Sequence, residues 1–238
     1  MPAQHPRIYL FDIDGTLVSS GGVGRRALES AFALRYGNPG AFNFPFDGMT
    51  DRAIVSMALR DLGLTLGEHD LQAEIDAVLD DYVLALAGET QKSAHAFVVH
   101  EGAPEVLDAL QAGGAQSRGV IGLGTGNIRK GAAIKLGAVG LYDRFTFGGF
   151  GCDHHDRAQL LAVGAARGAA LLGRGVNECE VVVIGDTPKD VAAARAIGAT
   201  SLAVATGRYS QSELRACGAD HTAASLASPE ALQVLLPA

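Results

Sequence analysis

RIYLFDIDGTLV, residues 7–18, decides how the rest of the chain is read. Apolar and aromatic residues with a preference for strands run into two carboxylates, Asp12 and Asp14, and then Gly15. A core strand that ends on acids is disfavoured unless something pairs with them. The stretch therefore predicts a strand over 8–12 and a partner for the acids at its carboxyl end. Taken alone, Asp-x-Asp-Gly is also an ordinary turn, since Asp and Gly favour turns. The residues at the ends of the other strands separate the two readings.

Further apolar, β-branched runs predict strands at 119–123, 144–147, 181–184 and 201–204, with a weaker one at 219–221. Residues 181–184 are continuously apolar, as expected of a strand covered on both faces of a parallel sheet. Helical patterns fall between them, at 103–112, 129–136, 157–172, 189–197 and 211–217. Several end near a glycine stop, at Gly113, Gly137, Gly198 and Gly218. Alternating strands and helices imply an α/β fold with a Rossmann-like, doubly wound, open parallel sheet. Residues 19–98 break the alternation. They hold helical stretches at 23–36, 51–62 and 68–87, with a short one beyond, and no expected strand. This block reads as an all-helical insertion into a core of residues 1–18 and 99–238, with hinges at Gly21, Gly22 and 93–100.

Composition narrows the classes. The chain has 238 residues, 48% hydrophobic and 19% charged, as in globular proteins with a real core. A net charge of −7 argues against nucleic acid, which calls for a basic stripe. No apolar run reaches the ~20 residues of a membrane span, and the first residues carry no signal-peptide pattern. Cys152, Cys179 and Cys217 are odd in number and scattered, which fits a reducing cytoplasm and no structural zinc.

In an open α/β sheet, ligands bind beyond the carboxyl ends of the strands. Asp12 and Asp14 follow the first strand, and Thr125-Gly126-Asn127 follow the second. The third loop leads to Arg157, and the fourth carries Asp186-Thr187-Pro188-Lys189-Asp190. Acids, a hydroxyl and a cation so gathered suit Mg²⁺ and a phosphate, because Mg²⁺ takes oxygen ligands and offsets the repulsion among carboxylates.

This pattern resembles the haloacid dehalogenase-like hydrolase superfamily, and within it the phosphoglycolate phosphatase-like enzymes with a helical cap. Asp12-Ile13-Asp14-Gly15-Thr16-Leu17 matches the family's DxDGT(L/V) motif, and Gly185-Asp186-Thr187-Pro188-Lys189-Asp190 its GDTxxD motif, about 170 residues later. The resemblance implies a cytoplasmic, Mg²⁺-dependent phosphatase for a small phosphate ester, with phosphoglycolate the first substrate to consider. Asp12 would be the nucleophile, passing through an aspartyl-phosphate, and Asp14 the general acid and base. Asp12, Asp14 (by its backbone carbonyl) and Asp186 would hold the metal, with Asp190 and Thr187 supporting it. Thr125, Gly126 and Asn127 would bind the phosphoryl group. Relatives often carry a Lys-Pro pair after the third strand. This chain has none, so Arg157 takes that place, with Lys135 as the fallback. The helical block corresponds to the family's cap, where Thr50, Asp51 and Arg52 are substrate candidates. Thr50 or Asp51 equally suits a helix N-cap.

Other readings remain open. A sugar phosphomutase shares the core acids. A phosphoaccepting receiver module clusters similar groups but is about half this length. A dehalogenase has no use for Asp14, and a phosphonatase needs a cap lysine, for which only Lys92 is available. The loop at Gly122–Gly126 lacks the spacing of a dinucleotide fingerprint. Cys152 with His154-His155-Asp156 reads as a polar loop, because adjacent side chains of an extended segment diverge. Oligomeric state is not encoded in any of these features.

Overall fold

A computed structural model describes residues 5–37, 39–112 and 119–237. In chain order the elements are β1 (Arg7–Phe11), β2 (Val18–Ser19), α1 (Val23–Tyr36), α2 (Asp51–Asp61), α3 (Glu68–Lys92) and β3 (Val98–Val99). Then come α4 (Ala103–Ala112), β4 (Gly119–Thr125), α5 (Arg129–Gly137), β5 (Gly148–Phe150), α6 (Arg157–Leu171) and β6 (Glu180–Gly185). The chain finishes with α7 (Pro188–Ala196), β7 (Thr200–Val204), α8 (Gln211–Ala216), β8 (His221–Ala223) and α9 (Pro229–Leu235).

Six strands form one parallel sheet in the order β5-β4-β1-β6-β7-β8. The chain winds outward from β1 in one direction and then the other, so the fold is the expected doubly wound α/β sheet. β1 shows how the pattern builds two layers. Tyr9 and Phe11 join the core packed with α4, α5 and α9, whereas Ile8 and Leu10 join the core packed with α6 and α7. Period-two alternation on a sheet covered on both faces gives this division. Helices α1–α3 have their own core, centred on Phe32, Leu59, Val78, Tyr82 and Leu86, to which Ile128 of the sheet-side unit also contributes. Among the described residues, no helix is long and apolar enough to cross a membrane.

Four expectations need correction. The strand placed at 144–147 lies at Gly148–Phe150, and Tyr142–Arg144 is a 3₁₀ turn. Phe145 and Phe147 are buried in the two opposite cores and so imitate a strand pattern. The real strand carries a glycine pair of low strand propensity, and a side chain at Gly149 would overlap the backbone of α6 at Leu160. The weak strand at 219–221 falls at His221–Ala223. α3 runs past residue 87 to Lys92, through Gly88. A two-residue antiparallel ribbon, β2 with β3, lies where the helical insertion leaves and rejoins the chain, too short to show any periodicity. The glycine stop at Gly113 lies outside the described residues.

Candidate active site

Strand register assembles the site. Phe11 pairs with Leu123 on one side and Ile184 on the other. The next residues of all three strands therefore emerge together at the sheet's carboxyl edge: Asp12 and Asp14, Thr125, and Asp186. Asp12 is held there by its N–H, which donates to the Ile184 carbonyl at 2.8 Å. Gly15 turns the chain with φ +80°, and a side chain there would overlap the Asp186 carboxylate.

Carboxylate oxygens of Asp12, Asp186 and Asp190 all lie within 4.8 Å of one another, and all three residues are buried. Among the described residues one cation forms ion pairs within this cluster, to Asp12 and Asp190. Arg157 opens α6, and its Nε donates to Asp190 Oδ1 at 2.6 Å. Its Nη2 sits 2.5 Å from Asp190 Oδ1 and 2.9 Å from Asp12 Oδ2, at ion-pair distance but without a directed hydrogen bond. Three carboxylates against one guanidinium leave an excess of negative charge. Burial, against the pull of Arg157 and with the push of Asp190 and Asp14, raises the Asp12 carboxyl to about 6. Burial and the charges of Asp190 and Asp12 raise Asp186 to about 9. Clustered oxygen donors that resist ionisation in this way fit a divalent cation such as Mg²⁺.

Asp190 has two attachments. Its Oδ2 accepts from the Thr187 N–H at 3.0 Å and the Thr187 hydroxyl at 2.7 Å, closing a reciprocal cap on α7, while Oδ1 anchors Arg157. Asp190 thus caps α7 with one oxygen and holds Arg157 with the other. Thr187 touches Asp190 rather than Asp186.

Asp14 faces the other way. Its Oδ2 accepts from Lys135 Nζ at 2.7 Å and from Asn127 Nδ2 at 2.9 Å. Burial favours the neutral acid, but Lys135 and Asn127 outweigh it and hold Asp14 below the usual carboxylate range. Lys135 is thus a partner of Asp14, while Arg157 occupies the position between Asp12 and Asp190. Thr125 is fully buried, and its hydroxyl accepts from the Asn127 N–H and side-chain amide. Gly126 abuts α2: its carbonyl accepts from the Asp51 N–H at 2.8 Å, and a side chain at this position would strike the Met49 carbonyl.

The three candidates on the insertion separate. Asp51 lines the cavity above the acids, and its Oδ2 accepts from the Ile128 N–H at 2.8 Å. Burial raises its carboxyl to about 6 despite Lys135 and that N–H. Thr50 caps α2 and donates to the His155 carbonyl at 2.8 Å. Arg52 is turned away from the cavity, paired with Asp76 at 2.5 Å and Gln72 at 2.7 Å, because one residue along a helix rotates the side chain by about 100°. It is withdrawn as a substrate contact. Sequence reasoning missed Tyr82, whose apolar setting in α3 reads as plain core. It also missed the tie between Asp47 and Arg208, 3.3 Å across the cavity mouth. Asp12, Asp14, Asp51, Tyr82, Lys135 and Asp186 line a cavity of about 560 Å³ between the sheet edge and the helical insertion, whereas Thr50, Thr125 and Asp190 stand behind its wall.

Comparisons with known proteins bear on the fold and the family. No curated protein matches the chain. Solved structures do. A hydrolase from Pseudomonas syringae superposes with a TM-score of 0.65 at 22% identity, covering 97% of both chains. CbbY from Rhodobacter sphaeroides, solved with phosphate, gives 0.65 at 15% identity over 94% of this chain and 96% of its own. A predicted phosphoglycolate phosphatase from Haemophilus somnus gives 0.61 at 16% identity over 95% and 97%. At such identities the likeness establishes the fold. The model of the haloacid dehalogenase-like hydrolases matches residues 6–198, which span the whole acid constellation, and the chain belongs to that family.

Proposed function

We propose that the protein is a Mg²⁺-dependent phosphatase that hydrolyses a small phosphorylated metabolite through an aspartyl-phosphate on Asp12. The observation that carries this reading is the division of the acids into two groups. Asp12, Asp186 and Asp190 form a buried oxygen cluster around Arg157, while Asp14 is held apart by Lys135 and Asn127.

Phosphoryl transfer needs positioning and charge neutralisation more than covalent chemistry from the protein. Asp12, Asp186 and the Asp14 carbonyl would hold Mg²⁺, which supplies positive charge to the phosphoryl oxygens. Arg157 holds the Asp12 carboxylate in place and adds a second cation, and the Thr125 hydroxyl with the N–H groups of the Gly126 loop receives the remaining oxygens. Asp12 attacks phosphorus and the ester oxygen leaves with a proton from Asp14. Approach of the phosphate dianion favours protonation of Asp14, since like charge raises a carboxyl pKa. Once the alcohol has left, Lys135 and Asn127 return Asp14 to its ionised state, which is the form that takes a proton from the hydrolytic water. The helical insertion would act as a cap, excluding bulk water while Asp12 is phosphorylated and opening to release products.

Phosphate release from a panel of esters, phosphoglycolate included, tests the reading with Mg²⁺ and with EDTA. Turnover that needs both Mg²⁺ and Asp12 is expected. Release that survives EDTA, or survives in Asp12→Asn, would overturn it. Labelling once without further turnover would favour the receiver reading.

A further inference from the structure

Beyond Asp14, the cavity ends in a floor built by Gly24 and Leu28 of α1, Asp51 and Ile54 of α2, Tyr82 of α3 and Lys135 of α5. The hydrolytic steps leave two polar groups of this floor without a task. Tyr82 is 1% exposed, yet its hydroxyl makes no hydrogen bond with any described residue. Buried phenols normally find a partner. A methyl group on Gly24 would lie 3.2 Å from Lys135 Nζ and 3.7 Å from the Tyr82 oxygen, so the phenol and the ammonium share one corner of the cavity. Asp51 lines the cavity; its Oδ2 accepts from the Ile128 N–H, while its other oxygen has no protein donor among the described residues.

These groups discriminate by charge. A carboxylate on the leaving group would meet Asp51 and Asp14, with one ammonium already 2.7 Å from Asp14. An ammonium would meet Lys135. A hydroxyl suits the floor, because it can donate to the Asp51 carboxylate and accept from the Tyr82 hydroxyl. Leu28 and Ile54 offer apolar surface for the C–H faces between hydroxyls. Cations at the mouth do not reverse this preference. Arg25 gives its two Nη groups to the Phe42 and Phe44 carbonyls, and Arg208 is paired with Asp47. We infer that Asp51 and Tyr82 are specificity-determining residues that bind hydroxyl groups of a neutral, polyhydroxylated leaving group, so that polyol or sugar phosphates are preferred over esters of hydroxy acids such as glycolate. The inference rests on the phosphatase reading above.

Its test is kcat/KM for glycerol 1-phosphate, erythritol 4-phosphate, 2-phosphoglycolate and para-nitrophenyl phosphate in wild type, Asp51→Asn and Tyr82→Phe. Both substitutions conserve shape, and thermal melting checks the fold. Wild type should favour the better polyol ester over phosphoglycolate at least tenfold. Each variant should reduce that ratio at least tenfold, about 1.4 kcal/mol. A wild-type preference for phosphoglycolate, or a ratio that neither variant moves, overturns the inference while leaving the phosphatase reading intact. Absence of Mg²⁺-dependent turnover on every ester, the nitrophenyl ester included, would overturn that reading and this inference with it.

Discussion

Arg157→Met removes the cation that, among the described residues, pairs with Asp12 and Asp190 in the buried acid cluster, and keeps most of the side chain's volume. Arg157 is buried and contacts Asp12 at 2.9 Å and Asp190 at 2.6 Å. Breaking a buried ion pair from one side costs about 3–5 kcal/mol, because the remaining charge is left uncompensated. A loss of that order is therefore expected in urea unfolding at pH 7.5 in EDTA. The pH dependence has a defined sign. An unfolded aspartate titrates near 3.9, whereas folding raises Asp12 to about 6 and Asp186 to about 9. Between about pH 4 and 9 these two groups therefore bind more protons in the folded chain than in the unfolded chain, and their contribution to stability falls as pH rises. Without Arg157 these acids are pushed further up and the fall steepens, so wild type and variant should converge as the pH approaches 4. Mg²⁺ should recover part of the loss at pH 7.5. A loss below about 1 kcal/mol, or one equally large at pH 4.5 and 7.5, would refute the reasoning that Arg157 balances this cluster.

Three further substitutions probe separate parts of the site. Asp186→Asn removes one of the mutually repelling acids, so the variant should melt higher than wild type in EDTA yet bind Mg²⁺ at least about tenfold more weakly by calorimetry; a lower melting temperature would contradict the repulsion argument. Lys135→Met deprives Asp14 of its ammonium partner, and the acidic limb of the kcat–pH profile should move to higher pH; an unmoved limb would show that Lys135 does not set the state of Asp14. Gly126→Ala places a methyl group against the Met49 carbonyl, backbone that cannot rotate away. It should lower kcat/KM at least about tenfold, roughly 1.4 kcal/mol, by displacing the start of α2; full activity would mean that the contact between this loop and the insertion is dispensable.

How much of this was legible in the sequence depends on where the determining forces act. Residues 7–18 carried the central strand and its acids, because strand alternation and the strand-end turn are both local. The collection of Thr125, Asp186 and Asp190 around Asp12 came from one topological rule about strand ends. The third strand was misplaced because Phe145 and Phe147 are buried as a strand would bury them, while the glycines that form the ladder give no positive signal. The substrate side was the least legible. Asp51 and Arg52 are neighbours in sequence, yet one enters the cavity and the other pairs with Asp76; only the packing of α2 on α3 decides which. Lys135 stands alone in the apolar run Ala132–Leu136, a local signal for a buried cation, but its partner Asp14 lies 121 residues away.

The central claim is that Asp12 carries the phosphoryl group during turnover. Acid quenching of the enzyme while it hydrolyses an ester with Mg²⁺, followed by mass spectrometry of its peptides, tests that claim most directly. One phosphoryl group is expected on the peptide containing Asp12, labile to hydroxylamine and absent in Asp12→Asn. Steady turnover with that peptide unmodified at every quench time, or a phosphoryl group on another residue, would contradict it.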